Sequence, residues 1–190
     1  FSRLALWLLL AAALLVRYRG LDWPAFHPDE PTIATWINES ASDGVVRHFG
    51  YPSGFFNLIH PVRSAVLAWH EREQDWQYWR GGLDRRAAGS VSNVDLARTF
   101  NVWLATLTIL LLYGLARQVT QSSGAALLAA GLLAFAQIHV EHSHYGETDM
   151  AMLMTLVLAC LLWARYLARP HWPWLLLTGL STGLALGTKY

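Results

Sequence analysis

The chain has 190 residues, of which 54% are apolar and only 14% carry a charge. That charged share lies well below the ~25% usual for soluble domains, so the composition indicates an integral membrane protein. A formal net charge of +1 leaves no basic surface for nucleic acid, and a single cysteine excludes an internal disulfide.

The chain opens with an apolar segment and a long polar-aromatic stretch. Residues 4–16 form an unbroken apolar run, which we extend to a first transmembrane helix over residues 4–21. Residues 22–98 are too many for a bare loop, so we expect this first loop to carry its own structure. Helix-start signals and amphipathic spacing predict helices at residues 31–42 and 61–79 within it, lying in the membrane interface.

Four further apolar runs predict four more transmembrane helices. They occupy residues 99–117, 125–139, 150–167 and 172–189. Arginines collect on one side of these helices, at Arg3, Arg117, Arg165 and Arg169. The positive-inside rule then predicts a cytoplasmic N-terminus. The first loop and the arginine-free connection at residues 139–149 would share the outer face.

These elements predict an all-α integral membrane fold, with one transmembrane domain over residues 1–190 and about five spanning helices. We expect a multi-pass protein of the plasma (inner) membrane. Because the sequence starts at Phe1 and stops at Tyr190 directly after an apolar run, we also expect a piece of a longer chain.

Two neighbouring carboxylates follow the first helix, in the tetrapeptide His27-Pro28-Asp29-Glu30. An acidic residue before a proline also suits an ordinary helix start. The predicted topology, however, gathers five acidic residues at the outer face: Asp29, Glu30, Glu141, Glu147 and Asp149. Ionisable groups at membrane depth are costly unless they line a wet cavity, so this group is a candidate site. Asp149 could equally cap the helix that follows it.

Three histidines, His139, His142 and His144, lie in the same connection as Glu147 and Asp149. Together with these carboxylates they could bind zinc or another divalent cation. Their spacing matches no specific metal motif, so histidines bonded to neighbours and water are the alternative interpretation. No cofactor is required by the sequence, and a divalent metal ion stays open.

Several motifs, taken in order, resemble the GT-C glycosyltransferases, particularly the protein O-mannosyltransferase and aminoarabinose-transferase group, glycosyltransferase family 39. The similar segments are residues 27–30, 51–55, 97–98, 113–117, 137–149 and 183–190. They cover nearly the whole chain, which resembles the N-terminal part of a GT-C fold. The first loop departs from the family pattern, because it is long and tryptophan-rich after His60.

The resemblance implies transfer of a sugar from a polyprenyl-phosphate donor to a hydroxyl or amine of an acceptor protein or lipid. A carboxylate would act as general base in one inverting displacement on the outer face. The implied catalytic residues are Asp29, Glu30 and Asp149, with the choice of base between Asp29 and Glu30 left open. The implied substrate-binding residues are His27, Tyr51, Arg98, Glu147 and Lys189, of which Arg98 and Lys189 would meet the donor phosphate. Residues 1–190 by themselves are expected to be inactive.

Two other functions fit the same features. A non-catalytic transmembrane subunit could use the apolar faces to scaffold a larger membrane complex. A transporter could use the same charges as an ion path, and it would predict helices broken within the membrane.

Overall fold

A computed structural model describes residues 2–21, 27–43, 53–72 and 93–189 of the chain. These residues form eight helices and no strand: α1 (Ser2–Tyr18), α2 (Glu30–Asp43), α3 (Gly54–Arg72), α4 (Asn93–Thr120), α5 (Ser123–Phe135), α6 (Gln137–Ser143), α7 (Asp149–Ala168) and α8 (Trp172–Lys189). The predicted all-α class is therefore confirmed for the described part of the chain.

Helix α4 is the centre of the bundle, because it packs against α1, α2, α3, α5, α6 and α7, while α8 packs against α7 and α3. One apolar core lies between α2, α3, α4 and α7, and it includes the buried side chains of Ile33, Phe55 and Phe100. A second core joins α1, α4 and α5 through Leu10, Ile109 and other side chains. Small alanines, such as those of α5, let these helices approach closely.

Helices α4 and α7 are long and apolar enough to cross a membrane, within the part of the chain that the structure describes. Helices α5 and α6 are bent by 58° and could together make a third span. Helix α1 has 17 residues, fewer than the ~20 of a typical span. The membrane crossings at α1 and α8 therefore remain predictions. The protein is a membrane protein whose described residues are all-α, whereas its five crossings and interfacial helices remain predictions.

The structure corrects the predicted start of the second loop helix. Instead of starting at Pro61, α3 starts at Gly54 and runs through this proline. The earlier start is explained by Phe55 and Phe56, which are fully buried in the core and hold the first turn in place. This burial offsets the helical hydrogen bond that a proline nitrogen cannot donate. Residues 73–79 of the predicted helix lie outside the described residues.

The structure also corrects the predicted helix at residues 125–139, which is interrupted. Ala136 has an extended conformation with φ −63° and ψ 119°, and it separates α5 from α6. Neither proline nor glycine occurs at this break. The break redirects the chain, so that α6 ends beside the start of α7 and α4.

Replacing Gly54 by alanine should destabilise the protein, because a Cβ at this position would lie 2.3 Å from the carbonyl oxygen of Gly187. Such overpacking typically costs about 1–3 kcal/mol. We expect a lower midpoint in thermal unfolding, followed by circular dichroism in detergent. Gly179→Ala is the matched control on α8, since a Cβ there would meet nothing within 4 Å. Equal midpoints for the two variants would contradict the close contact.

Candidate active site

Five elements meet at one end of the helical bundle. The last turn of α1, the start of α2, the start of α4, the loop between α6 and α7, and the end of α8 all reach this end. Hydrogen bonds link them there, from Arg98 to the carbonyl of Leu21 and from the backbone N–H of Gly146 to Glu30. An ion pair joins Lys189 to Asp149. Polar residues that are far apart in the sequence therefore share one site.

A buried ion pair between Glu30 and Arg98 lies at the base of this site. Arg98 donates from Nε to Glu30 Oε1 at 2.6 Å and from Nη2 to Glu30 Oε2 at 2.7 Å. Both residues are withdrawn from solvent, with 1% of Glu30 and none of Arg98 exposed. This two-point geometry matches the planar guanidinium to the carboxylate and fixes the position of both side chains.

The same carboxylate also binds two backbone N–H groups from different segments. His27 donates to Glu30 Oε2 at 2.9 Å, and Gly146 donates to Glu30 Oε1 at 2.7 Å. Glycine is needed for this approach, because a Cβ on Gly146 would lie 2.9 Å from the Cβ of Ala97. Glu30 thus connects α2, α4 and the loop before α7.

Asp29 has the opposite environment from its neighbour Glu30. Its side chain is 46% exposed, and its Oδ2 lies 4.0 Å from His27 Nδ1. The backbone N–H of Asp29 donates to the same His27 nitrogen at 3.4 Å. Of the two adjacent carboxylates, Asp29 is therefore the one that a substrate can reach.

Glu147 lies between two histidines and is largely buried. Its Oε1 is 3.7 Å from His27 Nε2 and 3.6 Å from His142 Nδ1, and 10% of its side chain is exposed. Burial raises the pKa of Glu147, and the two histidines oppose this shift. The negative charges of Asp149 and Asp29 raise the same pKa further. Burial and the neighbouring acidic residues therefore make Glu147 easier to protonate than an exposed glutamate.

The backbone of the loop before α7 is held by Asn101, a residue that the sequence patterns did not single out. Its Nδ2 donates to the carbonyl of Tyr145 at 2.7 Å and to that of Glu147 at 2.6 Å. The ring of Tyr145 lies 5.1 Å from that of His27, measured between centroids. A lone amide in an otherwise apolar run is the signal that could have identified Asn101.

Lys189 brings the end of α8 into the site through its ion pair with Asp149. Both side chains remain accessible, with 34% of Lys189 and 25% of Asp149 exposed. A cation therefore lies beside the acidic residues, where a negatively charged ligand could meet it.

The structure brings together six of the predicted site residues, which we call the His-carboxylate cluster. Its members are His27, Asp29, His142, Glu147, Asp149 and Lys189. Glu30 and Arg98 lie beside it as the buried ion pair, and Tyr51 lies outside the described residues. The guanidinium of Arg98 is buried against Glu30, and its contact with a donor phosphate stays a prediction.

Three members of the cluster could hold a metal ion. His142, Glu147 and Asp149 each offer a ligand atom, and these atoms lie within 4.8 Å of one another. The other two histidines of the predicted group are not part of this triplet. His139 is instead bonded through Nδ1 to Arg17 at 2.7 Å, and His144 is half-buried at the end of α6.

Comparison with known proteins places the chain in a family. The model of the family described as dolichyl-phosphate-mannose-protein mannosyltransferase matches residues 58–190, which include α4 to α8. The match begins after Asp29 and Glu30. No curated protein and no solved structure matches the chain. Since the family model covers more than half of the sequence, the chain belongs to the dolichyl-phosphate-mannose-protein mannosyltransferase family of GT-C glycosyltransferases.

Proposed function

We propose that this protein transfers a sugar, mannose by the name of its family, from a polyprenyl-phosphate donor to a hydroxyl of an acceptor protein. The observation that carries this proposal is the accessible carboxylate of Asp29 within the His-carboxylate cluster. The site contains an accessible base, Asp29, and an accessible cation, Lys189, next to the buried ion pair of Glu30 and Arg98. A single displacement uses a base for the acceptor, a cation for the phosphate and fixed positions for both.

In the proposed reaction, the acceptor hydroxyl oxygen attacks the anomeric carbon of the sugar. Asp29 takes the hydroxyl proton as the new carbon–oxygen bond forms. The bond between the anomeric carbon and the phosphate oxygen breaks, and the electron pair leaves with the lipid phosphate. One such step inverts the anomeric centre and needs no covalent intermediate on the protein.

Glu30 serves in this proposal as the residue that positions Asp29. Its carboxylate is engaged by Arg98 and by two backbone N–H groups, so it holds the turn that carries Asp29. Both oxygens of this buried carboxylate are already occupied by these donors, so an acceptor hydroxyl cannot approach them. The open choice between Asp29 and Glu30 is thereby proposed to fall on Asp29.

We place the cluster on the outer face of the plasma membrane, with a cytoplasmic N-terminus. The support is the distribution of Arg117, Arg165 and Arg169, which lie at the opposite ends of α4 and α7 from the cluster. A lipid-linked donor could then reach Lys189 sideways from the bilayer, since this residue ends α8.

The proposed function is tested with the full-length protein in lipid vesicles. Supplied with a polyprenyl-phosphate-linked mannose and a serine- or threonine-containing peptide, it should release free lipid phosphate and mannosylated peptide with an inverted anomeric centre. A scaffolding subunit would give no product. The break between α5 and α6 is a feature that a transporter would share, but a transporter would accumulate a solute without forming product.

Replacing Lys189 by methionine should weaken use of the donor far more than use of the acceptor. A charge-assisted hydrogen bond contributes about 1.5–3 kcal/mol, so the KM for the donor should rise about 10- to 100-fold. Steady-state titration of each substrate measures the two KM values separately. Arg169→Met, an exposed cation at the other end of α7, is the control. Unchanged donor titration in Lys189→Met would place the phosphate elsewhere.

We further propose that a divalent cation can bind at His142, Glu147 and Asp149. The argument is that Glu147 Oε1 is buried and makes no hydrogen bond, although two more ligand atoms lie within reach. One imidazole and two carboxylates suit Mn²⁺ or Zn²⁺. At a free concentration of 100 times its dissociation constant, the cation should stabilise the fold by about 2.7 kcal/mol.

Thermal unfolding with and without added Mn²⁺ or Zn²⁺, after dialysis against a chelator, checks this cation site. Wild type should gain several degrees, and Glu147→Gln should gain much less. Glu141→Gln is the matched control, because Glu141 is exposed on α6 and belongs to none of the contacts of the cluster. Equal shifts in wild type and Glu147→Gln would exclude a site at this triplet.

A further inference from the structure

The break between α5 and α6 is spanned by a single side chain from another helix. Arg17, in the last turn of α1, donates from Nη1 to the carbonyl of Ala134 at 3.0 Å. The same nitrogen donates to the carbonyl of Ala13 on its own helix, also at 3.0 Å. Its Nη2 contacts His139 Nδ1, on the far side of the break, at 2.7 Å. One guanidinium therefore joins α1, α5 and α6.

These bonds compensate for what the break removes. A helix that ends leaves the carbonyls of its last turn without their helical partners. Ala134 lies in that turn, one residue before the end of α5, and its carbonyl accepts from Arg17. Because a guanidinium can only donate, His139 must accept at Nδ1 and carry its proton on Nε2. The contact thus fixes the orientation of the first turn of α6.

Burial of the Arg17 charge at this position is energetically unfavourable. None of it is exposed, and among the described residues no carboxylate lies within ion-pair distance of it. A buried charge without a counter-ion is strongly unfavourable, so such residues in membrane proteins mark functional positions. The role of Arg17 follows from the residues that lie after the break, on α6.

Helix α6 has only seven residues and ends directly before the loop that carries Glu147. His142, three residues after His139, contacts Glu147 from this helix at 3.6 Å. A short helix has little rigidity of its own, so its direction is set at its first turn. We infer that Arg17 is a positioning residue of the active site: by bridging the broken helix it holds α6 so that His142 meets Glu147. This inference rests on the proposed function.

The test compares Arg17→Met and Arg17→Lys in the full-length protein, with Arg19→Met as a control two residues away on an exposed position. Hydrogen–deuterium exchange at residues 137–143 reports on the bridge without any need for activity. Exchange there should rise in Arg17→Met and stay unchanged in α7. Because displacing a catalytic group by about 1 Å can cost 100-fold, kcat should fall about 10- to 100-fold.

Two further measurements separate positioning from general stability. The ammonium of Arg17→Lys keeps three N–H donors, enough for both the Ala134 carbonyl and His139 Nδ1, so this variant should recover most of the lost kcat. In a His142→Ala background, Arg17→Met should cost little more, because the group through which Arg17 acts is already gone. Unchanged exchange in α6, or fully additive losses in the double variant, would overturn the inference. If no variant and no wild type transfers sugar, the proposed function fails, whereas the exchange result still decides whether the bridge exists.

Discussion

Replacement of Asp29 by asparagine should abolish most sugar transfer while the fold stays intact. Asparagine keeps the shape of the side chain but cannot accept the proton of the acceptor hydroxyl. General base catalysis contributes about 10²- to 10⁴-fold, and kcat should fall by that factor. Because 46% of the Asp29 side chain is exposed, its removal should change the free energy of unfolding by less than about 0.5 kcal/mol.

Initial rates with a fixed donor and acceptor measure this loss, and thermal unfolding of the same preparation measures the fold. Glu141→Gln is the control, since it removes an exposed carboxylate from the same end of the molecule. Near-normal turnover in Asp29→Asn would remove Asp29 as the base and return the choice to the other carboxylates of the cluster.

Sequence patterns predict where the site lies better than they predict the role of each residue in it. Charge distribution and connection lengths were enough to expect the segment around Asp29 and the loop before Asp149 at the same end. Adjacent residues, however, give no sign of which carboxylate is buried. That depends on Arg98, 68 positions from Glu30, and a pairing at this separation has no local signature.

The broken helix was hidden from sequence for a similar reason. Breaks are usually indicated by proline or glycine, but Ala136 is neither, and its flanking residues suit a helix. The break is tolerated because Arg17 donates to the backbone carbonyl of Ala134. No sequence pattern reports a bond to a backbone carbonyl. A charged residue at the end of a membrane helix usually indicates a side chain that reaches the headgroups, and nothing in the sequence sets Arg17 apart from that case.

The predicted start of the second loop helix at Pro61 is wrong for a different physical reason. Proline is common at the first helical position, so the sequence predicts a start at Pro61. The apolar side chains before it, Phe55, Phe56 and Ile59, are fully buried in the structure. Burial of two aromatic rings and an isoleucine contributes several kcal/mol by order of magnitude, which exceeds the ~3 kcal/mol cost of an internal proline.

The ion pair of Arg98 and Glu30 should behave as a structural unit. Arg98→Met would leave the Glu30 carboxylate buried without its cation, and Glu30→Gln would leave the Arg98 guanidinium buried without its anion. Removing one partner of a buried pair typically costs about 3–5 kcal/mol, so each variant should unfold at a much lower temperature or denaturant concentration. The double variant should lose clearly less than the sum of the two, because neither charge is then left alone.

Chemical denaturation of the four proteins in this cycle gives the coupling, and donor titration of the folded fraction gives the role. A residue that acts by holding Asp29 in place should lower kcat with little effect on the KM for the donor. This outcome distinguishes Arg98 from Lys189, whose accessible ammonium should act mainly on donor KM. If Arg98→Met instead leaves stability intact and raises the donor KM, the guanidinium leaves Glu30 when the donor binds, and the phosphate role expected from the sequence applies.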